Sequence, residues 1–277
     1  MYNVWLALLD EPEFLKELSM QGHSTERNFS EYKTKHSLKV SSFTPNYLSI
    51  DFYSRQSREL RDKNCFIIKT GKGNFVIFDE NRFEKPYLDL DLSRAEELDY
   101  ENPNNFEHLD DAFKENLIEN FSIEHLWFLG IFNQIIGRIS LENKCYIGPR
   151  GVKRSIFDVY FKDKKTQEIV KIFKYKGLED LYYSIFTESC IYFFEGKNFP
   201  DGKGGLDLGW HKIIYPASRF KKYSSKRLIP GYFLKLGTVV YFVVFPDFQY
   251  CKRGIILNDK KQFTPEHIFK IDLKIEI

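Results

Sequence analysis

The run Cys190-Ile191-Tyr192-Phe193-Phe194 is apolar throughout and leads directly into Glu195-Gly196-Lys197-Asn198. A short, aromatic-rich apolar run of this kind reads as a buried strand. Side chains alternate across a strand, so Glu195 and Lys197 point the same way and share a face with Ile191 and Phe193. An acid and a lysine at the end of a buried strand are costly unless they face a cleft or each other. Whatever surrounds this strand must therefore either open at its end or pair the two charges.

The rest of the chain reads as a mixed N-terminal part followed by a strand-rich part. Residues 9–20 read as a short helix, with Pro12 near its start and acids in its first turn. Residues 24–45 carry no clear period. Cys65 to Lys69 and Asn74 to Phe78 flank Thr70-Gly71-Lys72-Gly73 and read as a β-hairpin near 64–79. The acidic, proline-containing stretch 84–105 reads as loop. Phe106 to Asn120 and Ser122 to Ile139 have helical spacing, and Ile123, Leu126, Trp127, Ile131, Ile135 and Ile136 form one apolar face. After about residue 143, β-type runs follow at 156–161, 169–175, 181–187, 191–194, 232–236 and 239–245, with a shorter one at 254–257. Leu206 to Ser218 has helical character interrupted by Pro216. The expected fold is α/β: an α+β region over 1–143, then a strand-rich core over 144–277.

Charge divides the chain at the same place. Residues 1–143 carry 16 Lys and Arg against 25 Asp and Glu, a net of −9, and residues 144–277 carry 25 against 14, a net of +11. Such asymmetry suggests that the basic half meets a polyanion. A lysine-solvated β surface is the simpler alternative. Cys65, Cys145, Cys190 and Cys251 are scattered, without the spacing of a zinc site or a disulfide framework, which fits reduced thiols in a cytoplasmic protein. No apolar run reaches the roughly 18 residues needed to span a bilayer, and residues 1–18 lack the pattern of a signal peptide.

Fourteen residues separate Glu179-Asp180 from Glu195. Two carboxylates can hold Mg²⁺, a hard cation that prefers oxygen ligands. A nearby lysine can orient a nucleophile or offset developing negative charge. If the strand at 181–187 pairs antiparallel with the strand at 191–194 through the Glu188-Ser189 turn, Asp180 falls close to Glu195 and Lys197. A rival set, Asp158, Glu168 and Lys171, has the wrong spacing, since Glu168 and Lys171 would face opposite sides of a strand.

Asp180, Glu195 and Lys197 resemble the catalytic set of the PD-(D/E)xK nuclease superfamily, and within it the type II restriction endonucleases. The residue before the first acid is usually proline there, and here it is Glu179. The stretches Arg61 to Asp79 and Tyr146 to Arg154 look like the N-terminal hairpin and the entry to the core of a subset of these enzymes. In that subset a helix carries an Arg-Gln pair and then Tyr-Pro. Tyr215-Pro216 matches, whereas His211-Lys212 stands in place of Arg-Gln. The resemblance implies an αβββαβ mixed-sheet core over 144–277. It implies Asp180, Glu195 and the Gly196 carbonyl as Mg²⁺ ligands, with Lys197 acting on the attacking water. It further implies double-stranded DNA as substrate, a homodimer, and a DNA methyltransferase as genetic partner. Another nuclease of the superfamily and a catalytically silent DNA-binding module remain as alternatives.

Basic residues in two clusters are expected to touch DNA phosphates. The first is Arg150, Lys153 and Arg154 ahead of the core. The second is Lys212, Arg219, Lys221, Lys222, Lys226 and Arg227, after the acid-x-Lys strand. Thr70-Gly71-Lys72-Gly73 lacks the spacing of a P-loop and reads as a turn.

Overall fold

The computed structural model describes residues 4–39, 45–48, 50–98, 130–140, 142, 144–199, 205–220, 225–248 and 254–272. The fold is mixed α/β, with three sheets. Strands β1 (Arg27–Asn28), β2 (Cys65–Gly71) and β3 (Asn74–Asp79) form an antiparallel N-terminal sheet in the order β1-β3-β2. Strands β6 (Gly151–Lys162) and β7 (Ile169–Leu181) make a long antiparallel hairpin that β12 (Ile255–Ile256) joins in parallel. The largest sheet contains β4 (Glu96–Glu97), β5 (Tyr146–Ile147), β8 (Tyr183–Phe186), β9 (Cys190–Phe199), β10 (Arg227–Leu236), β11 (Val239–Val244) and β13 (His267–Asp272). Its order is β4-β13-β11-β10-β9-β8-β5.

Seven α-helices lie among the described residues: α1 (Leu6–Leu9), α2 (Pro12–Gln21), α3 (Phe29–Lys35), α4 (Pro45–Leu48), α5 (Arg58–Asp62), α6 (Ile131–Ser140) and α7 (Trp210–Ala217). Local chemistry sets several of their ends. Pro12 opens α2 with its preset φ, and Gly22 closes it at φ 76° in the left-handed region. The Asn28 side chain accepts hydrogen bonds from the Ser30 and Glu31 backbone N–H groups and so starts α3. Helix α7 carries Pro216 in its last turn and ends one residue later. None of these helices is long and apolar enough to cross a membrane.

The apolar strand at the end of which Glu195 and Lys197 stand is β9, buried within the large sheet. Its Ile191 and Phe193 face one core with Trp210, Ile213 and Ile214 of α7. Its Cys190, Tyr192 and Phe194 face a second core with Ile131, Phe132, Ile135 and Ile136 of α6. The first core runs through the residue 143 boundary. Phe78 of β3 stacks on Phe161 of β6 with ring centroids 4.3 Å apart, and Phe66 stacks on Phe78 at 4.9 Å. The acidic N-terminal half and the basic C-terminal half thus share one apolar interior.

The chain departs from the sequence expectation in several places. The strand expected over 181–187 is β8, which begins only at Tyr183, and Asp180 belongs to the end of β7. The β6–β7 ladder carries on to Gly151↔Leu181, so backbone pairing holds the chain in the first sheet through Leu181. It then crosses through Tyr182 into the second sheet. Strand β13 and the first half of β10, which includes Pro230, carried no expectation. The helical stretch expected at 106–120 and the part of 122–139 before Gly130 lie outside the described residues.

Candidate active site

Strands β8 and β9 pair antiparallel from Tyr183↔Phe194 to Phe186↔Ile191, so β8 has no partner residue for β9 beyond Phe194. From Glu195 onward β9 keeps β10 on its other side, in parallel register. The freed edge opens a cleft of about 190 Å³. Lys69 of β2 lines it, as do Tyr175, Leu178, Glu179 and Asp180 of β7, Glu195 of β9, and His211, Lys212 and Tyr215 of α7. Gly196 faces away, beneath the ring of Tyr182: a Cβ there would stand 2.4 Å from Tyr182 Cε1.

Glu195 faces the cleft, and Lys197 pairs with it, Nζ to Oε1, at 2.9 Å. Lys197 also lies 3.3 Å from Asp51, and Lys212 approaches Asp51 at 2.8 Å. Asp51, in the segment before a short 3₁₀ turn, was not expected from the sequence. Burial works against its ionisation, but the Lys212 and Lys197 ammonium groups outweigh it and hold its carboxyl down at about 2. Burial pushes Glu195 above the usual carboxylate range, against the pull of Lys197 and Lys212.

The two acids of Glu179-Asp180 separate, because neighbours on a strand face opposite sides. Glu179 points inward and accepts a hydrogen bond from the Tyr175 hydroxyl. Burial raises it to about 7; Lys212 and Lys69 oppose that rise, and the charges of Glu195 and Asp180 add to it. Asp180 is exposed at the cleft mouth. Glu179, noted in the sequence only as the replacement for a proline, is therefore the acid that stands beside Glu195. Its signal was the strand period, which puts residues 175, 177, 179 and 181 on the inward face of β7.

Lys69 enters from the N-terminal sheet; burial lowers its pKa, and the Glu179 carboxylate opposes the drop. His211 is buried and held down to about 3, by burial first and then by the Lys212 charge, so its ring stays neutral near pH 7. The lysines lining the cleft are Lys69 and Lys212, with Lys197 joined to it through Glu195 and Asp51.

The expected phosphate contacts fare unequally. Lys212 is bound to Asp51. Arg219 donates to the Gly151 carbonyl. Lys226 donates to the carbonyls of Thr187 and Glu188 and ties down the β8–β9 turn. Arg227 pairs with Asp247 at 3.4 Å. Lys153 and Arg154 are exposed on β6, and Arg150 lies just before it. Lys221 and Lys222 lie outside the described residues. Cys65, Cys145 and Cys190 are free thiols, and Cys251 lies outside the described residues. The rival Asp158 and Lys171 form an ion pair at 2.9 Å on the β6–β7 hairpin.

The donor set suits a hard divalent cation: Glu179 and Glu195 are oxygen donors whose buried charges repel, and both are raised. Among the described residues no three acidic, histidine or cysteine side chains converge as a ready-made metal site. Comparison with protein-family models, with characterised proteins and with solved structures finds no match to this chain.

Proposed function

We propose that the chain is a Mg²⁺-dependent nuclease of the PD-(D/E)xK type, acting on double-stranded DNA as a type II restriction endonuclease. One observation carries this reading. Glu195 of β9 enters a cleft together with Glu179 and Asp180 of β7 and lysines of β2 and α7, and Lys197, two residues further along β9, pairs with Glu195. The order of elements supports it too. After α6 come the short β5, then β6, β7, β8, β9, α7 and β10, and β10 runs parallel to β9 after the helical crossover. A helix, antiparallel strands and a helical crossover to a parallel strand are elements that such a core uses, although here β6 and β7 belong to one sheet and β8, β9 and β10 to another.

Glu179 and Glu195 would hold the cation, with Asp180 at the mouth and the Gly196 backbone on the freed edge of β9. The cation supplies charge to a phosphate oxygen and lowers the pKa of water. Lys197 orients the attacking water and offsets charge on the phosphate. Asp51 holds Lys197 and Lys212 in place. Neutral His211 and Tyr215 wall the cleft without adding charge. Cutting both strands of a duplex takes two such sites, hence a homodimer. A methyltransferase encoded nearby would protect the host's own sites.

The test is incubation of purified chain with unmethylated phage DNA, with Mg²⁺ or with EDTA, for wild type and Lys197→Ala. Discrete Mg²⁺-dependent fragments that vanish in the variant support the reading. The pairing of Lys197 with two acids, Glu195 and Asp51, favours a second reading: a DNA-binding module without catalysis. Wild-type chain that binds duplex DNA yet leaves it intact across several DNAs would establish that reading instead.

A further inference from the structure

The β6–β7 hairpin turns one face to solvent along its proximal half. On β6 that face carries Val152, Arg154 and Ile156; on β7 it carries Leu178, Lys176 and Lys174. The register sets Arg154 opposite Leu178, Ile156 opposite Lys176 and Asp158 opposite Lys174. Arg154 thus stands between Val152 and Ile156 on β6, and Arg154 and Lys176 each face an aliphatic across the ribbon, while Lys174 follows Lys176 along β7 and Val152 faces Asp180. The aliphatics are open to water, with Val152 63%, Ile156 58% and Leu178 64% exposed. Among the described residues Arg154, Lys174 and Lys176 enter no ion pair, and Asp158 is already paired with Lys171. Cations beside exposed aliphatics on one ribbon face offer a polyanionic partner both charge and apolar contact.

We infer that this ribbon face is where duplex DNA docks, inserting into the major groove beside the cleft. The inference rests on the nuclease reading for its choice of polyanion. Three features of the face favour DNA. First, the major groove of B-DNA, about 12 Å wide, admits a two-stranded β-ribbon, and β-ribbon proteins read DNA in this way. Second, the cations suit phosphates and guanine edges, while the aliphatics suit thymine methyl groups. Third, the face runs into the cleft: Leu178 and Asp180, at its end, line the cavity that holds Glu179 and Glu195. A duplex seated on the ribbon lies next to the acid-lysine cluster. Duplex RNA, whose major groove is deep and narrow, does not accept such a ribbon. A second copy of the chain, brought to the same face, would set these cations against one another.

The experiment uses the full-length chain in EDTA, so that binding is read without cleavage. A fluorescein-labelled duplex DNA pool of random sequence is titrated by anisotropy at several salt concentrations, with duplex RNA alongside. Arg154→Ala/Lys174→Ala/Lys176→Ala is compared with a charge-matched control on exposed lysines elsewhere, Lys16→Ala/Lys39→Ala/Lys63→Ala. Expected are a loss of DNA affinity of about tenfold or more in the ribbon variant and a salt slope lower by about 2 to 3. The control should stay within about twofold, and duplex RNA should bind less well than DNA. Equal losses in both variants, or an unchanged ribbon variant, would overturn the docking surface while leaving the nuclease reading standing. A wild-type chain that binds no duplex at all would remove both. Val152→Ser/Ile156→Ser/Leu178→Ser is examined by sedimentation: if it turns a dimer into a monomer, the face is a subunit interface and the DNA assignment is wrong. Circular dichroism on every variant establishes that it is folded.

Discussion

The carboxylate of Asp51 lies 2.8 Å from the ammonium group of Lys212, and this contact joins an N-terminal segment to the first turn of α7. With Lys197 at 3.3 Å on its other side, Asp51 neutralises two lysines at once. Replacing it by Asn leaves those cations crowded. Asp51→Asn should destabilise the fold by about 1–3 kcal/mol near neutral pH, read from urea unfolding. Because the folded-state pKa is depressed to about 2, the contribution is present above the ordinary value near 3.8. It disappears as pH falls through 2. A variant as stable as wild type at pH 7 would show that the contact carries no energy.

Glu179 has the opposite sign. Its folded-state pKa is raised from 4.5 to about 7, so the folded chain binds the proton more tightly than the unfolded chain. Its contribution to stability is full below pH 4.5 and is lost as pH rises through 7. Glu179→Gln should flatten the fall in thermal stability between pH 4.5 and 7. At pH 8 it should leave the variant more stable than wild type by on the order of 2 kcal/mol. An unaltered pH profile would mean that Glu179 titrates normally.

The same pair of neighbours tests the chemistry. Under the nuclease reading, Glu179→Gln should lower Mg²⁺-dependent cleavage about 100-fold or more, because it removes an inward donor beside Glu195. Asp180→Asn, at the exposed mouth, should cost less than about tenfold. The reverse order of effects, measured as single-turnover rates on one plasmid, would return the metal-binding role to Asp180.

Much of the neighbourhood was legible in the sequence. The apolar run before Glu195 announced a buried strand, and its alternation placed Glu195 and Lys197 on the face of Ile191 and Phe193, as in the fold. Thr70-Gly71-Lys72-Gly73 announced the β2–β3 turn, in which residues 71, 72 and 73 all take positive φ. The site roles of Asp51 and Lys69 were not legible: Lys69 read only as the end of a hairpin strand and Asp51 sat in no local pattern, and long-range packing brings one to the cleft and the other to Lys197 and Lys212. The choice between Glu179 and Asp180 depended on where β7 ends. The ladder with β6 decided that, and local propensity carries no information about it. Strand β13, at the far side of the sheet, owes its place to β11.

Gly71 offers a test of the fold independent of function. Its φ is 116°, and a Cβ there would lie 2.1 Å from the Lys176 carbonyl oxygen of β7. Gly71→Ala combines backbone strain with a clash against main chain, and should cost about 3 kcal/mol or more. Chemical denaturation gives the figure directly. A loss under about 1 kcal/mol would mean that the two backbones do not approach this closely.

That close crossing of β2 over β7 bears on how the chain is born. As the chain leaves the ribosome, Asp51, Lys69 and Gly71 emerge long before Glu179, Glu195 and Lys212. The turn of the N-terminal sheet gains its contact with Lys176 only once the hairpin has been made. A prematurely terminated product would hold the early lysine and acid without the strand end they serve, and a product begun late would bring Lys197 and Lys212 without Asp51 between them. Neither partial chain contains the whole cleft, so the chemistry proposed for it is withheld until the segment through Tyr215 has been made.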